Sequence, residues 1–135
     1  MSERPRPTPV SWDREFWDAA AEGRLVAQSC RDCGRLQHYP RPACIDCLSQ
    51  SRDWVTLSGL GTVWSFSIVR QVTSQAFAHE VPFVLADVQL DEGLRFMSRL
   101  DELSVEIGDR VRVRMKPIPE GGLWLPYFER LVDPR

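Results

Sequence analysis

Four residues carry the sharpest chemistry in this sequence. Cys30 and Cys33 form one C-x-x-C pair, Cys44 and Cys47 form a second, and the chain has no other cysteine. An i, i+3 spacing lets one tight turn present two thiolates to a single ion, so each pair reads as one knuckle of a four-thiolate site. Gly34, directly after Cys33, suits the first knuckle. Backbone amides must turn inward to the sulfurs there, and a residue without Cβ eases that turn. Leu48 stands in the equivalent place in the second. Tetrahedral sulfur suits iron as well as zinc, but a closed thiolate site in a chain with no other redox motif points to zinc. Free thiols or disulfides are the ordinary alternative, and clustering in a reducing compartment argues against them. Four thiolates leave no open coordination position, so the ion is expected to hold a fold and not to polarise a substrate.

With Cys30, Cys33, Cys44 and Cys47 committed to metal, no thiol is left as a covalent nucleophile. His38 and His79 are the two histidines, and neither sits in a triad pattern, so packing or surface roles are expected for both. The carboxylate pairs Asp91/Glu92 and Asp101/Glu102 fall at turns, where solvated charge is the usual explanation. No catalytic residue is assigned. A cationic stripe stands out in R-V-R-V-R-M-K: Arg110, Arg112, Arg114 and Lys116 alternate with apolar residues and share one face of a strand. That face suits phosphates. A solvated outer face paired with nearby carboxylates is the plainer reading.

These residues need positioning elements. Residues 1–10 are rich in proline and arginine and read as a flexible arm. Ser11 as N-cap, the stripe Trp12, Phe16 and Ala20, and Gly23 as stop predict a short amphipathic helix with Trp17 beside its aromatic face. A helix this short must dock, either on the protein's own core or on a partner. Residues 25–53 form the ribbon, broken by Gly34, Pro40 and Pro42 into short hairpins. Strand-like segments then follow at 61–70, 83–90, 94–100, 110–116 and 123–131. Five strands is the count of an OB barrel. The expected fold is therefore mainly β: an N-terminal arm and helix (1–24), a rubredoxin-like zinc ribbon (25–53) and a five-stranded OB-fold barrel (54–135). The connection 71–82 is the longest in the barrel and is expected to be the mobile or binding loop.

Composition sets outer bounds. At 135 residues the chain has room for one barrel-sized core and an appendage. A formal net charge of −2 leans away from a protein built to grip a phosphate backbone. The opening M-S-E-R-P-R-P-T-P-V-S-W has no apolar run, and no segment is long enough to span a bilayer, so a cytoplasmic protein is expected.

One ordered set of motifs runs through the chain. The helix F-W-D-A-A-A-E-G-R-L leads into L-V-A-Q-S-C-R-D-C-G and Y-P-R-P-A-C-I-D-C. V-T-L-S-G-L-G-T-V-W-S-F-S-I-V and I-G-D-R-V-R-V follow. Together they resemble the family of zinc-ribbon plus OB-fold proteins associated with acyl-CoA metabolism. The second knuckle departs from the family's common C-P-x-C-G, with Ile45 and Leu48 in place of the proline and glycine. The resemblance implies a non-catalytic subunit that joins a thiolase-type acyltransferase or aldolase, or a hydratase, and binds or channels acyl-CoA while the partner supplies the nucleophile. Carried over by position, Cys30, Cys33, Cys44 and Cys47 are the metal ligands. No sharp motif marks CoA contacts. Arg41 and the stripe Arg110, Arg112, Arg114 and Lys116 are the phosphate-binding candidates, because a guanidinium suits phosphate oxygens. The competing reading is a single-stranded nucleic-acid binder that uses the aromatic sheet face of the OB fold.

Overall fold

A computed structural model describes residues 5–118 and 122–131. Residues 1–4 of the expected arm lie outside the described residues, and residues 5–10 hold no regular element. The architecture is mainly β, as the sequence leads one to expect: one helix, a three-stranded ribbon sheet and a closed five-stranded barrel.

Helix α1 spans Arg14–Ala21 and buries Phe16, Ala19 and Ala20. It packs on a ribbon strand and a barrel strand, so its aromatic face closes the protein's own core. The helix starts later than Ser11. Asp13 is the N-cap, yet its Oδ1 accepts a hydrogen bond from the Val10 N–H behind it (2.8 Å) and caps no helical amide. That backward bond closes a turn over 10–13 and postpones helical geometry, leaving Ser11 exposed in the turn.

The ribbon strands β1 (Val26–Cys30), β2 (Leu36–Gln37) and β3 (Arg52–Thr56) pair antiparallel in the order β2-β1-β3. β3 runs across positions 53 and 54. The barrel strands are β4 (Leu60–Val69), β5 (Phe83–Leu90), β6 (Arg95–Leu100), β7 (Arg110–Pro117) and β8 (Trp124–Arg130). They close in the order β4-β5-β6-β8-β7, the OB arrangement. Alternation explains the inward face: Val84, Ala86, Val88 and Leu90 of β5 all point to the core. A bulge between Val63 and Ser65 pushes Trp64 outward and bends β4, which pairs with β7 through its first residues and with β5 along its whole length. Gly61 lies two residues before that bulge, opposite Leu90 and Val111, where a Cβ would come within 2.6 Å of Val88 Cγ1 and 2.8 Å of the Gln89 carbonyl oxygen.

The weakest seam is between β6 and β8, which run parallel and pair only through Leu100 and Phe128. One contiguous core joins the units: Phe16 of α1, Val26 and Ala27 of β1, and Leu25 and Leu57 at the ribbon's edge pack into the cluster of Val63, Val88, Phe96, Val111 and Phe128. The connection 71–82 contains a 3₁₀ turn at Gln75–Phe77. Arg99 of β6 holds it, pairing with Glu80 at 2.5 Å and stacking 3.7 Å from the Phe83 ring centroid.

Candidate metal centre and its surroundings

The two knuckles are built alike. Cys30 N–H donates to the Arg35 carbonyl and Gly34 N–H to the Cys30 carbonyl, each at 2.9 Å. Cys44 N–H to Ser49 and Leu48 N–H to Cys44 repeat both bonds at 2.9 Å. The repeat extends to backbone shape, for Gly34 has φ +77° and Leu48 φ +64°. Leu48 is thus held in the left-handed conformation that glycine takes in the first knuckle.

These turns bring together all four cysteines singled out in the sequence. Their Sγ atoms lie within 4.8 Å of one another, with Cys30–Cys47 at 3.5 Å and Cys33–Cys44 at 3.6 Å. A tetrahedron with metal–sulfur bonds of ~2.3 Å has edges of about 3.8 Å, so the cluster fits one ion. Electrostatics agree with that fit. The Cys33 backbone N–H holds the Cys30 thiol down to about 6, and the Cys47 backbone N–H lowers Cys44. At Cys47 the Ser49 N–H acts to lower the thiol, but neighbouring Cys30 and burial push it up to about 12. Four thiols this close cannot all ionise unless a cation neutralises them.

A buried amide pair supports the centre, and nothing in the sequence pattern announced it. Gln28 Nε2 donates to the carbonyls of Arg41 (2.8 Å) and Trp12 (3.3 Å), while its Oε1 accepts from Arg41 N–H (2.9 Å) and Gln37 Nε2 (2.8 Å). Gln37 in turn accepts from Ile45 N–H at 3.2 Å. The two side chains thereby tie β1 and β2 to the segment entering the second knuckle. His38, next along, stacks on Phe96 of the barrel. His79 is exposed on the 71–82 connection.

The phosphate candidates separate in space. Every cation of the stripe has a carboxylate partner: Arg110 is bidentate on Asp91 (2.7 and 2.9 Å), Arg112 and Arg114 share Glu129, and Lys116 meets Asp101. An incoming phosphate would have to displace those carboxylates. Arg41 is exposed on the ribbon and, among the described residues, its guanidinium has no ion-pair partner. No helix among the described residues is long and apolar enough to cross a membrane.

Two family models match the chain. Residues 17–52 match the rubredoxin-like zinc ribbon domain of ChsH2, and residues 54–116 match its C-terminal OB-fold domain. Over 96% of its length the chain is 39% identical to a probable enoyl-CoA hydratase alpha subunit of Thermomonospora curvata, of which it spans only 40%. A DUF35 domain-containing scaffold protein of Methanothermobacter thermautotrophicus is 31% identical over 73% of this chain and 76% of its own length. The solved structure of an Ltp2-ChsH2(DUF35) aldolase contains a chain that superposes with a TM-score of 0.81 at 34% identity, covering 94% of this chain and 100% of that one.

Proposed function

The chain belongs to the ChsH2 (DUF35) family of zinc-ribbon and OB-fold proteins, and from that premise we propose that it is a non-catalytic, acyl-CoA-binding scaffold subunit of a thiolase-family acyltransferase or aldolase. One observation carries the reading: over 94% of its length the chain matches a whole chain of a solved assembly described as an Ltp2-ChsH2(DUF35) aldolase. The scaffold name of the archaeal relative supports the same division of labour. The partner supplies the reacting groups, and this chain supplies surface and shape.

In this reading Cys30, Cys33, Cys44 and Cys47 hold one zinc ion, whose closed thiolate shell gives it a structural task. Gln28 and Gln37 keep the approach to the second knuckle in place. For the phosphates of CoA, Arg41 is the better of the two candidates, because its guanidinium is exposed while the stripe is occupied by carboxylates.

The test is a pull-down of the tagged chain from its native extract, with mass spectrometry of what is retained and metal analysis of the purified chain. Stoichiometric recovery of a thiolase-like or aldolase subunit, with one zinc per chain, is the expected result. Recovery of nucleic acid, or of no protein partner, overturns the scaffold role.

A further inference from the structure

We propose that the cleft where helix, ribbon and barrel meet binds a flat, uncharged ring system, the apolar body of an acyl group. The proposal rests on the acyl-CoA reading above and adds to it a place for the acyl end. The cleft exists because the barrel is incomplete on this side. β6 and β8 pair only at Leu100 and Phe128, and where they splay apart the Ser98 hydroxyl reaches the Pro126 carbonyl at 2.6 Å. Pro126 has no N–H to offer a neighbouring strand. α1 and the ribbon segment 38–40 roof the opening and leave a cavity of about 260 Å³.

Its size and walls select the ligand. An apolar cavity of roughly 150 Å³ is enough for benzene, so this one admits a larger ring system. Trp17, Tyr39, Phe96, Met97 and Leu125 form apolar walls, and the imidazole of His38 lies between Phe96 and Tyr39 at centroid distances of 4.1 and 4.3 Å. Such walls favour a flat guest that can stack. Asp13 is the one acidic side chain among the described lining residues, and its Oδ1 is engaged by Val10 N–H. The phosphates of CoA would find no cation here, so the cleft suits only the uncharged end of such a molecule.

One polar group remains to orient it. The indole Nε1 of Trp17 has no hydrogen-bond partner among the described residues but is itself closed to a guest, so Trp17 serves as a wall and a reporter. His38, kept neutral by burial, offers one donor and one acceptor, and among the described residues its ring makes no hydrogen bond. A ketone or hydroxyl on the ring system would meet that need. His38 also borders a second, polar groove lined by Arg35, Glu92 and Arg95, whose two guanidinium groups are already paired with Asp46 and Asp87 and so offer no better phosphate site than the stripe.

The experiment uses the full zinc-loaded chain, labelled with ¹⁵N, and follows its five indole N–H signals and the His38 ring by NMR. The probe is 2-acetylnaphthalene, an uncharged bicyclic ketone, with 2-decanone as linear comparison and CoA as acyl-free comparison. A saturable shift of the Trp17 indole and His38 signals by the bicyclic ketone is expected, with weaker binding of 2-decanone and no shift of Trp17 by CoA. Tyr39→Ala and Met97→Ala remove exposed wall residues, leave the core intact, and should each weaken the probe roughly threefold to tenfold.

No saturable shift at Trp17, equal shifts at all indoles, equal binding of the linear ketone, or wild-type affinity in both variants overturns the proposal. So does a Trp17 shift that appears only on adding the partner subunit, which would assign the cleft to a protein side chain. Failure of the probe while the pull-down still recovers the partner refutes this site alone. Binding of the probe with no partner recovered refutes the scaffold reading and leaves the site standing.

Discussion

The imidazole of His38 lies face to face with the ring of Phe96, their centroids 4.1 Å apart and their planes 20° from parallel. One ring belongs to the ribbon and the other to the barrel core, and the Phe16 ring of α1 lies 5.5 Å from the imidazole. A charged imidazole would lose its hydration in this buried place.

Burial pushes His38 down to about 4, below its usual 6.5, so between those values the unfolded chain takes up a proton that the folded chain refuses. Stability from this residue is intact above about pH 7 and is lost as pH falls through 6.5 toward 4, by up to roughly 3 kcal/mol once both states are protonated. Asp13, Arg35, Glu92 and Arg95 line the same two cavities, so salt should alter the slope only modestly. Urea unfolding of the zinc-loaded chain between pH 7 and 5 checks this. The wild type should lose stability over that range, and His38→Gln should lose much less.

Gln28 is 1% exposed and makes four hydrogen bonds, two through each polar atom of its amide. Gln28→Leu keeps the volume but abandons the Trp12 and Arg41 carbonyls, the Arg41 N–H and the Gln37 amide inside the protein. Each such group costs about 1–3 kcal/mol when buried and left unmet; the bond to Gln37 is buried and those to Trp12 and Arg41 are part-buried. A total loss of at least ~3 kcal/mol is expected in denaturant titration, and a loss under 1 kcal/mol would mean that water replaces the amide without cost.

Local patterns were legible in the sequence and pairings across the chain were not. Alternation alone places β5, since Val84, Ala86, Val88 and Leu90 recur every second residue. The two C-x-x-C pairs fix the metal cluster because a turn is a local object. Gln28 and Gln37 left no signal, for whether a glutamine is buried depends on which carbonyls arrive from residues 12, 41 and 43. The start of α1 differs from the Ser11 cap that the sequence predicts because Ser11 and Asp13 are both good caps, and the choice turns on a backward bond to Val10. Likewise the partner of Arg112 is visible only once β7 and β8 are in register, which sets it opposite Glu129.

Leu48 has φ +64° and is 77% exposed, so it bears left-handed strain and contributes little packing. Leu48→Gly removes a penalty of about 1–2 kcal/mol and adds unfolded-state entropy worth somewhat less. A net gain of about 0.5–1 kcal/mol is expected, read as tighter zinc retention against a competing chelator. Gly34→Ala, at φ +77° in the first knuckle, should shift retention the opposite way.

Gly61 leaves no room for a side chain, since an added Cβ would sit 2.6 Å from Val88 and 2.8 Å from the Gln89 carbonyl. The Gln89 contact is backbone and cannot swing aside. Gly61→Ala must therefore push β4 away from β5 near the start of β4, costing roughly 1–3 kcal/mol. Thermal unfolding should show the loss while zinc content stays unchanged, because the knuckles lie outside the barrel.

Removing the metal should act on part of the ribbon only. The knuckles owe their shape to the four sulfurs and a few turn bonds, but β1 reaches the common core through Val26 and Ala27. Burial of that kind does not depend on zinc, whereas the knuckle turns lose their organising ion when it is chelated. Hydrogen exchange after zinc removal should therefore accelerate at the Gly34 and Leu48 amides, which are bonded to the Cys30 and Cys44 carbonyls. The amides of β5 should keep their protection, because that strand is paired on both sides. If protection vanishes across the barrel as well, the metal supports the whole fold and the shared core is too weak to stand without it.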